Sequence, residues 1–188
     1  MALPHAILVS LSEQPGSGYE LAHRFDRSIG YFWAATHQQI YRTLRTMEDN
    51  GWLAVQVIPQ HARPDKKVYS VTAAGQAELR TWIAAPLTGR GSTGTDSRTR
   101  DLAVKIRGAS FGTPETTSAL LGQIRTLRAE RAGVLDAYRG FEKHQFPDPA
   151  TLTGAARHQY LVLRGGILAE EGGLAWLDEV LRTMEDSQ

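Results

Sequence analysis

The sequence predicts a mainly α fold with one small β-wing, and three observations carry that expectation. In THQQIYRTLRTMEDNGWL, Thr36 to Leu53, the residues Ile40, Leu44 and Met47 recur at spacings of four and three, which lines one helix face with apolar groups. Immediately after it, Leu53, Val55 and Val57 alternate with Ala54 and Gln56, and a proline-containing turn leads to a return strand, Lys67 to Val71, within the segment Val55 to Thr72. From Asp101 onward the patterns are helical only.

Each element has its own local reason. Ala2 to Ser12 places Leu3, Ile7, Leu8 and Leu11 on one face and stops before Pro15 and Gly16, which predicts a first amphipathic helix. Ser17 with Glu20 has the form of a capping box, and Tyr19, Leu21, Ala22 and Phe25 then give a second helix reaching about Ser28. Gly30 to Ala35 is a bend holding Tyr31, Phe32 and Trp33, three aromatics that suit core packing better than a binding platform. Thr36 and Gln39 form the next capping box, Gly51 supplies the stop, and Gln38, Arg42 and Arg45 fall opposite the apolar stripe, as on a helix that enters a DNA groove. Thr72 begins a helix, TAAGQAELRTWIAAP, in which Leu79, Trp82 and Ile83 pack back until Pro86 ends it.

The segment Thr88 to Ser97 is rich in Gly, Ser and Thr, has no apolar residue, and reads as a hinge. The expected organisation is a domain over residues 1–86, a linker over 87–97 and a helical domain over 98–188. In the last, helices are predicted over Asp101 to Phe111, Pro114 to about His144 with Thr113 as N-cap, and about Thr153 to Glu185. Leu120, Ile124, Leu127, Val134, Tyr138 and Phe141 make one apolar seam, interrupted at Arg131. Tyr160, Leu163, Ile167, Leu174, Leu177, Leu181 and Met184 make another, interrupted at Glu170. Such seams close either a hairpin within the chain or a dimer, and their length favours the dimer. Two glycine pairs, Gly165–Gly166 and Gly172–Gly173, lie inside the second seam, where they allow close packing or mark a break.

Composition bounds the function. With 188 residues, 41% of them hydrophobic, the chain can build one or two real cores. Zero cysteines exclude disulfides, thiolate metal sites and cysteine nucleophiles. No apolar run approaches the roughly 20 residues of a membrane helix and the start lacks a secretion signal, so the expected compartment is the cytoplasm. The net charge of +1 says little, but His37 to Met47 carries Arg42 and Arg45 without an acid, and Pro59 to Val68 carries His61, Arg63, Lys66 and Lys67 against Asp65 alone. Those two segments predict a local positive surface. His158 with Glu170 and Glu171, and His144 with Glu142, are the nearest approach to acid–base pairs, and no phosphate loop or nucleophile elbow accompanies them. His23, His37 and His61 lack metal-ligand spacing. No catalytic residue, metal or cofactor is expected.

The motifs SGYEL at Ser17 to Leu21, FW at Phe32 and Trp33, HQQIYRTLRTMEDNGWL at His37 to Leu53 and RPDKKVYSVTAAG at Arg63 to Gly75 together resemble the PadR-like transcriptional regulators. RHQYLVLRGGILAEEGGLAWLDEVL, Arg157 to Leu181, is similar to the long helical C-terminal domain of one branch of that family. The resemblance implies an N-terminal winged helix-turn-helix, a C-terminal α-helical dimerisation domain, and a homodimeric repressor released from its operator by a small molecule. It places Gln39, Tyr41 and Arg42 on the reading helix, with Gln38 and Arg45 beside them, where Gln suits adenine and Arg suits guanine. Tyr19 and Thr36 fall where phosphates are met, Arg63, Lys66 and Lys67 belong to the wing, and Tyr69 belongs to the core. The expected partners are a palindromic double-stranded operator, a second copy of the chain, and a small aromatic or drug-like effector. The dimer is expected through Leu120, Ile124, Leu127, Tyr160, Leu163, Ile167, Leu174, Leu177 and Leu181, and the effector against Trp33 and Trp176. The alternative is a winged-helix module that binds protein and no operator.

Overall fold

The computed structural model describes residues 3–27, 35–60, 65–87 and 97–186. In chain order these form α1 (Leu3–Glu13), β1 (Gly16–Ser17), α2 (Gly18–Arg27), α3 (His37–Asp49), β2 (Leu53–Ile58), β3 (Lys66–Val71), α4 (Ala73–Ala84), α5 (Ser97–Gly108), α6 (Pro114–Gln145) and α7 (Gly154–Glu185). Short 3-10 turns at Ala109–Phe111 and Pro149–Thr151 precede α6 and α7. Among the described residues no helix is long and apolar enough to cross a membrane.

Packing divides the chain into two compact units, and the division falls inside α6 after Leu120. The N-terminal unit is organised around α1. That helix was expected to bury one face, but every residue from Ala6 to Leu11 is buried. The reason is that α3, α4, β3 and α5 all pack on it. The hinge expected over 87–97 lies, but for its two end residues, outside the described residues, and the helix that follows, α5, belongs by packing to the N-terminal unit. Leu102 and Val104 of α5 are buried there. The ends of α1 and α5 are tied by Arg107, whose Nε and Nη2 donate to Glu13 Oε1 and Oε2 at 2.6 and 2.7 Å.

The same contact buries polar groups. Lys105 is 1% exposed, donates from Nζ to the Ala85 carbonyl at the end of α4, and lies 5.2 Å from the centre of the Trp82 ring. Trp82 also stacks on His5 at 4.4 Å, and His5 Nε2 donates to Glu78 Oε1 at 3.0 Å. Burial pushes the Lys105 ammonium down to about 8 and lowers His5 from its ordinary value.

The sheet has three antiparallel strands in the order β1-β3-β2. The wing was expected to be two-stranded; β2 and β3 pair from Leu53↔Val71 to Ile58↔Lys66, and β1 adds Gly16↔Tyr69 and Ser17↔Val68 on the other edge. A two-residue strand has no periodicity to read. Thr72 caps α4 by accepting from the Gly75 N–H at 3.1 Å, and Gly51, at φ 72°, turns the chain from α3 into β2.

In the C-terminal unit α6 and α7 run antiparallel. Arg125 pairs with Glu185, Arg128 with Asp178, Arg139 with Glu171, and Glu142 with Arg164, so rising numbers on α6 meet falling numbers on α7. The residues that interrupt the two seams find each other: Arg131 Nη1 donates to Glu170 Oε2 at 3.1 Å, with Glu170 only 1% exposed. The helix α7 runs unbroken through both glycine pairs. A Cβ at Gly166 would lie 3.0 Å from the Tyr138 ring, and one at Gly173 would lie 2.7 Å from the Arg131 guanidinium. One glycine of each pair therefore makes room for a side chain of α6.

This packing changes the reading of the seams. Leu120, Ile124, Leu127, Ile167 and Leu177 are buried within a single chain, while Tyr160, Leu163, Leu174 and Leu181 are partly covered. The large apolar residues left exposed on α6 and α7 are Phe141, Leu161, Val162 and Leu168.

The difference between buried and exposed ion pairs is testable within this hairpin. Glu170→Ala removes the buried carboxylate that pairs with Arg131 and should cost about 3 kcal/mol of stability. Glu171→Ala, at the exposed Arg139 pair, should cost less than about 1 kcal/mol. Urea unfolding followed by circular dichroism checks both, and equal losses would show that burial does not set the strength of these pairs.

Candidate nucleic-acid interface

The surface opposite the buried stripe of α3 is assembled from local capping chemistry. Thr36 adopts an extended conformation, φ −70° and ψ 152°; its Oγ1 accepts from Gln39 N–H at 3.2 Å, and its own N–H donates to Gln39 Oε1 at 2.9 Å. Both halves of the capping box are present. Ile40, Leu44 and Met47 are buried, and α3 packs on α1, α2 and β2. Gln38, Gln39, Tyr41, Arg42 and Arg45 are consequently exposed. Gln39 differs from the others, because its carbonyl oxygen is committed to the Thr36 N–H. Bidentate pairing with adenine uses that oxygen together with the amide N–H. Gln38, Arg42 and Arg45 carry no such commitment to the cap.

The start of α2 and the wing complete this face. A Cβ at Gly18 would lie 2.4 Å from the Tyr41 ring, so the glycine lets α3 settle against the α2 N-terminus. Ser17, Gly18, Tyr19, Glu20, Tyr41, Lys66 and Lys67 line one cleft of 520 Å³. Tyr19, counted among the apolar groups of α2 and also placed where phosphates are met, is 63% exposed, with its hydroxyl 3.1 Å from His23 Nε2. Tyr69 is buried, as its place in the core required.

The charge of the wing is not what its own segment suggests. Lys66 Nζ donates to Glu20 Oε1 at 2.8 Å, and Lys67 Nζ lies 4.0 Å from Glu48 Oε2. Glu20 Oε2 also accepts from the Ser17 N–H and Oγ, at 2.7 and 2.9 Å. The Lys66 hydrogen bond first, and then the two from Ser17, hold the Glu20 carboxyl down at about 2. Along the sequence Glu20 marks only a helix cap and Glu48 carries no signal, since both reach the wing from distant positions in the chain.

Other expected residues fall elsewhere. Arg63, His61 and Trp33 lie outside the described residues. Trp176 lies partly buried on α7, in the C-terminal unit, and is absent from the lining of the 610 Å³ cleft that Tyr138, Phe141, Phe146, Val162 and Gly166 help form there. Among the described residues, no group of three His, Asp or Glu side chains is placed to hold a metal ion.

Comparison with known proteins bears on this face. The model of the "Transcriptional regulator PadR-like family" matches residues 7–81, and that of "Virulence activator alpha C-term" matches residues 100–185. The chain is 62% identical over 192 residues to the probable transcriptional regulator Rv1176c of Mycobacterium tuberculosis, covering 100% of both. It is 26% identical over 184 residues to the negative transcriptional regulator PadR of Bacillus subtilis, covering 97% of each. The crystal structure of that PadR in complex with operator DNA matches at 24% identity and a TM-score of 0.46, covering 98% of this chain and 99% of the other. Its complex with p-coumaric acid matches at 24% identity and a TM-score of 0.42, covering 98% and 96%. The family match and the 62% identical relative show that the chain belongs to the PadR-like family of transcriptional regulators, whose matched members are regulators rather than enzymes.

Proposed function

We propose that the protein is a homodimeric repressor that reads a palindromic operator through α3 and is released from it by a small molecule. The observation that carries the reading is the capped helix α3, which buries Ile40, Leu44 and Met47 and turns Gln38, Arg42 and Arg45 outward. On this reading α3 lies in the major groove, Thr36, Tyr19 and Tyr41 meet phosphates, and Lys67 approaches the backbone from the wing. Residues 1–86 form the DNA-binding segment and 98–188 the dimerisation segment; α5 belongs to the second by sequence and to the first by packing. Two copies then address half-sites about one helical turn apart.

The dimer is proposed through the apolar surface that the hairpin leaves uncovered. Leu161, Val162 and Leu168 are 58, 78 and 57% exposed on α7. The effector is proposed as a planar aromatic compound, with Trp176 as its described aromatic candidate; p-coumaric acid, held by the Bacillus subtilis relative, is the first to try. Such a ligand must bind the DNA-incompetent arrangement more tightly, because equal affinity for both arrangements shifts nothing.

Arg42→Ala should cost about 1–3 kcal/mol of operator binding and relax base preference, with folding stability unchanged. Gln39→Ala should act first on the start of α3 and lower the melting temperature. Gel shifts with the DNA upstream of its own coding region, beside thermal melts, check the pair; retained affinity and base preference in Arg42→Ala would dismiss α3 as reader.

Val162→Asp should leave a folded protomer that no longer dimerises, because the residue is exposed within one chain. Leu177→Asp should instead disrupt the α6–α7 hairpin itself, since burial of an unpaired carboxylate costs several kcal/mol. Sedimentation velocity separates these outcomes, and a Val162→Asp variant that sediments as a stable dimer would remove this surface from the interface. Tryptophan fluorescence titrated with p-coumaric acid, run beside operator binding, tests the effector: a saturable quench with no loss of DNA affinity would exclude it as the inducer.

A further inference from the structure

Glu20 is an acid placed on a face proposed to meet phosphates. Its carboxylate lies in the same cleft as Tyr19, Tyr41, Lys66 and Lys67. It is held there by three donors: Ser17 N–H at 2.7 Å, Ser17 Oγ at 2.9 Å and Lys66 Nζ at 2.8 Å. The two Ser17 contacts belong to the cap of α2, where the helix dipole also favours an anion. Swinging the carboxylate away from DNA would therefore break the start of α2.

That anchoring decides what Lys66 can do. If Lys66 left for a phosphate, the fixed carboxylate would keep Ser17 and Arg24 but lose its ammonium partner while facing a row of negative charges. If it stays, the pair presents no net charge. We infer that Glu20 is a built-in attenuator of DNA binding, which holds Lys66 as its own counter-ion and withdraws one positive charge from the phosphate-facing surface. The inference rests on the proposed DNA-facing assignment of α3 and the wing, and it removes Lys66 from the expected phosphate contacts. A carboxyl held at about 2 stays ionised throughout the physiological range, so the attenuation is constant. Its effect on a regulator is to keep non-specific affinity low, because each phosphate neutralised adds sequence-independent binding.

The test uses the full-length protein and a duplex carrying the DNA upstream of its own coding region, with binding measured across a range of KCl concentrations. Glu20→Gln keeps an acceptor for the Ser17 N–H but frees the Lys66 charge. It should bind more tightly than wild type and steepen the slope of log K against log salt by about 0.9. Lys66→Met should bind more weakly, since it removes a positive charge beside Glu20 and leaves the carboxylate with Ser17 and Arg24 alone, and the double variant should return to the wild-type slope. A Glu20→Gln variant with the wild-type slope, together with a double variant as weak as Lys66→Met, would show Lys66 on a phosphate and overturn the inference. Arg42→Ala serves as the control: binding lost there while Glu20→Gln is unchanged overturns the attenuator alone. A wild type that binds no duplex, or an Arg42→Ala variant with full affinity, removes the DNA-facing reading and the attenuator with it.

Discussion

The burial of α1 is the constraint on which the N-terminal unit depends. From Ala6 to Leu11 no residue of this helix reaches solvent, so it must be covered on all sides at once. Burying each large aliphatic side chain is worth roughly 1.5–3 kcal/mol, and Ile7, Leu8, Val9 and Leu11 supply several such terms in one short segment. The helix α3 supplies one of those covers. Its buried stripe can satisfy α1 in one rotational setting only, and that setting turns Gln38, Arg42 and Arg45 outward. The outward face of α3, proposed above as the reading face, is therefore fixed by core packing, which leaves the side chains on it free to be chosen for recognition.

The same demand explains why α5 joins this unit. A one-sided α1 would need no cover beyond α3 and α4. An all-round apolar α1 does, and α5 provides it with Leu102 and Val104, anchored by the Arg107–Glu13 pair. Lys105 is drawn into the interior by the same contact. Its ammonium finds the Ala85 carbonyl and the Trp82 ring, which offset part of its desolvation, and burial still leaves it far easier to deprotonate than a surface lysine.

Much of this was legible in the sequence because its causes are local. Thr36 and Gln39 announce α3 through a box that closes over three residues, and Ile40, Leu44 and Met47 mark its buried side by spacing alone. The long helices α6 and α7 were equally plain. What was not legible arises between segments distant in the chain. The apolar seams show that α6 and α7 need partners but carry no mark saying that the partner is each other. Arg131 and Glu170, each an interruption in its own seam, were the available clue, since opposite charges at matching breaks suit an internal pair. Likewise, the strand β1 is too short to have a pattern, and Leu8 and Val9 do not reveal that a helix nearly a hundred residues on will cover them.

Charge shows the limit most sharply. Counted along the wing, Lys66 and Lys67 face Asp65 alone; counted in space, Glu20 and Glu48 stand opposite them. A segment's net charge is thus a poor guide to the field at a folded surface, because ion pairs are made between segments. Exposed pairs of this kind add little to stability. Their consequence for a protein that meets a polyanion is different: they set how many cations remain to displace counter-ions from DNA, and hence how steeply binding falls with salt. On the proposed reading, recognition then rests more heavily on α3, where Arg42 and Arg45 are exposed and the buried stripe fixes their direction. A surface built as proposed would spend little of its affinity on DNA in general, which would leave base contacts to distinguish the operator from the rest of the genome.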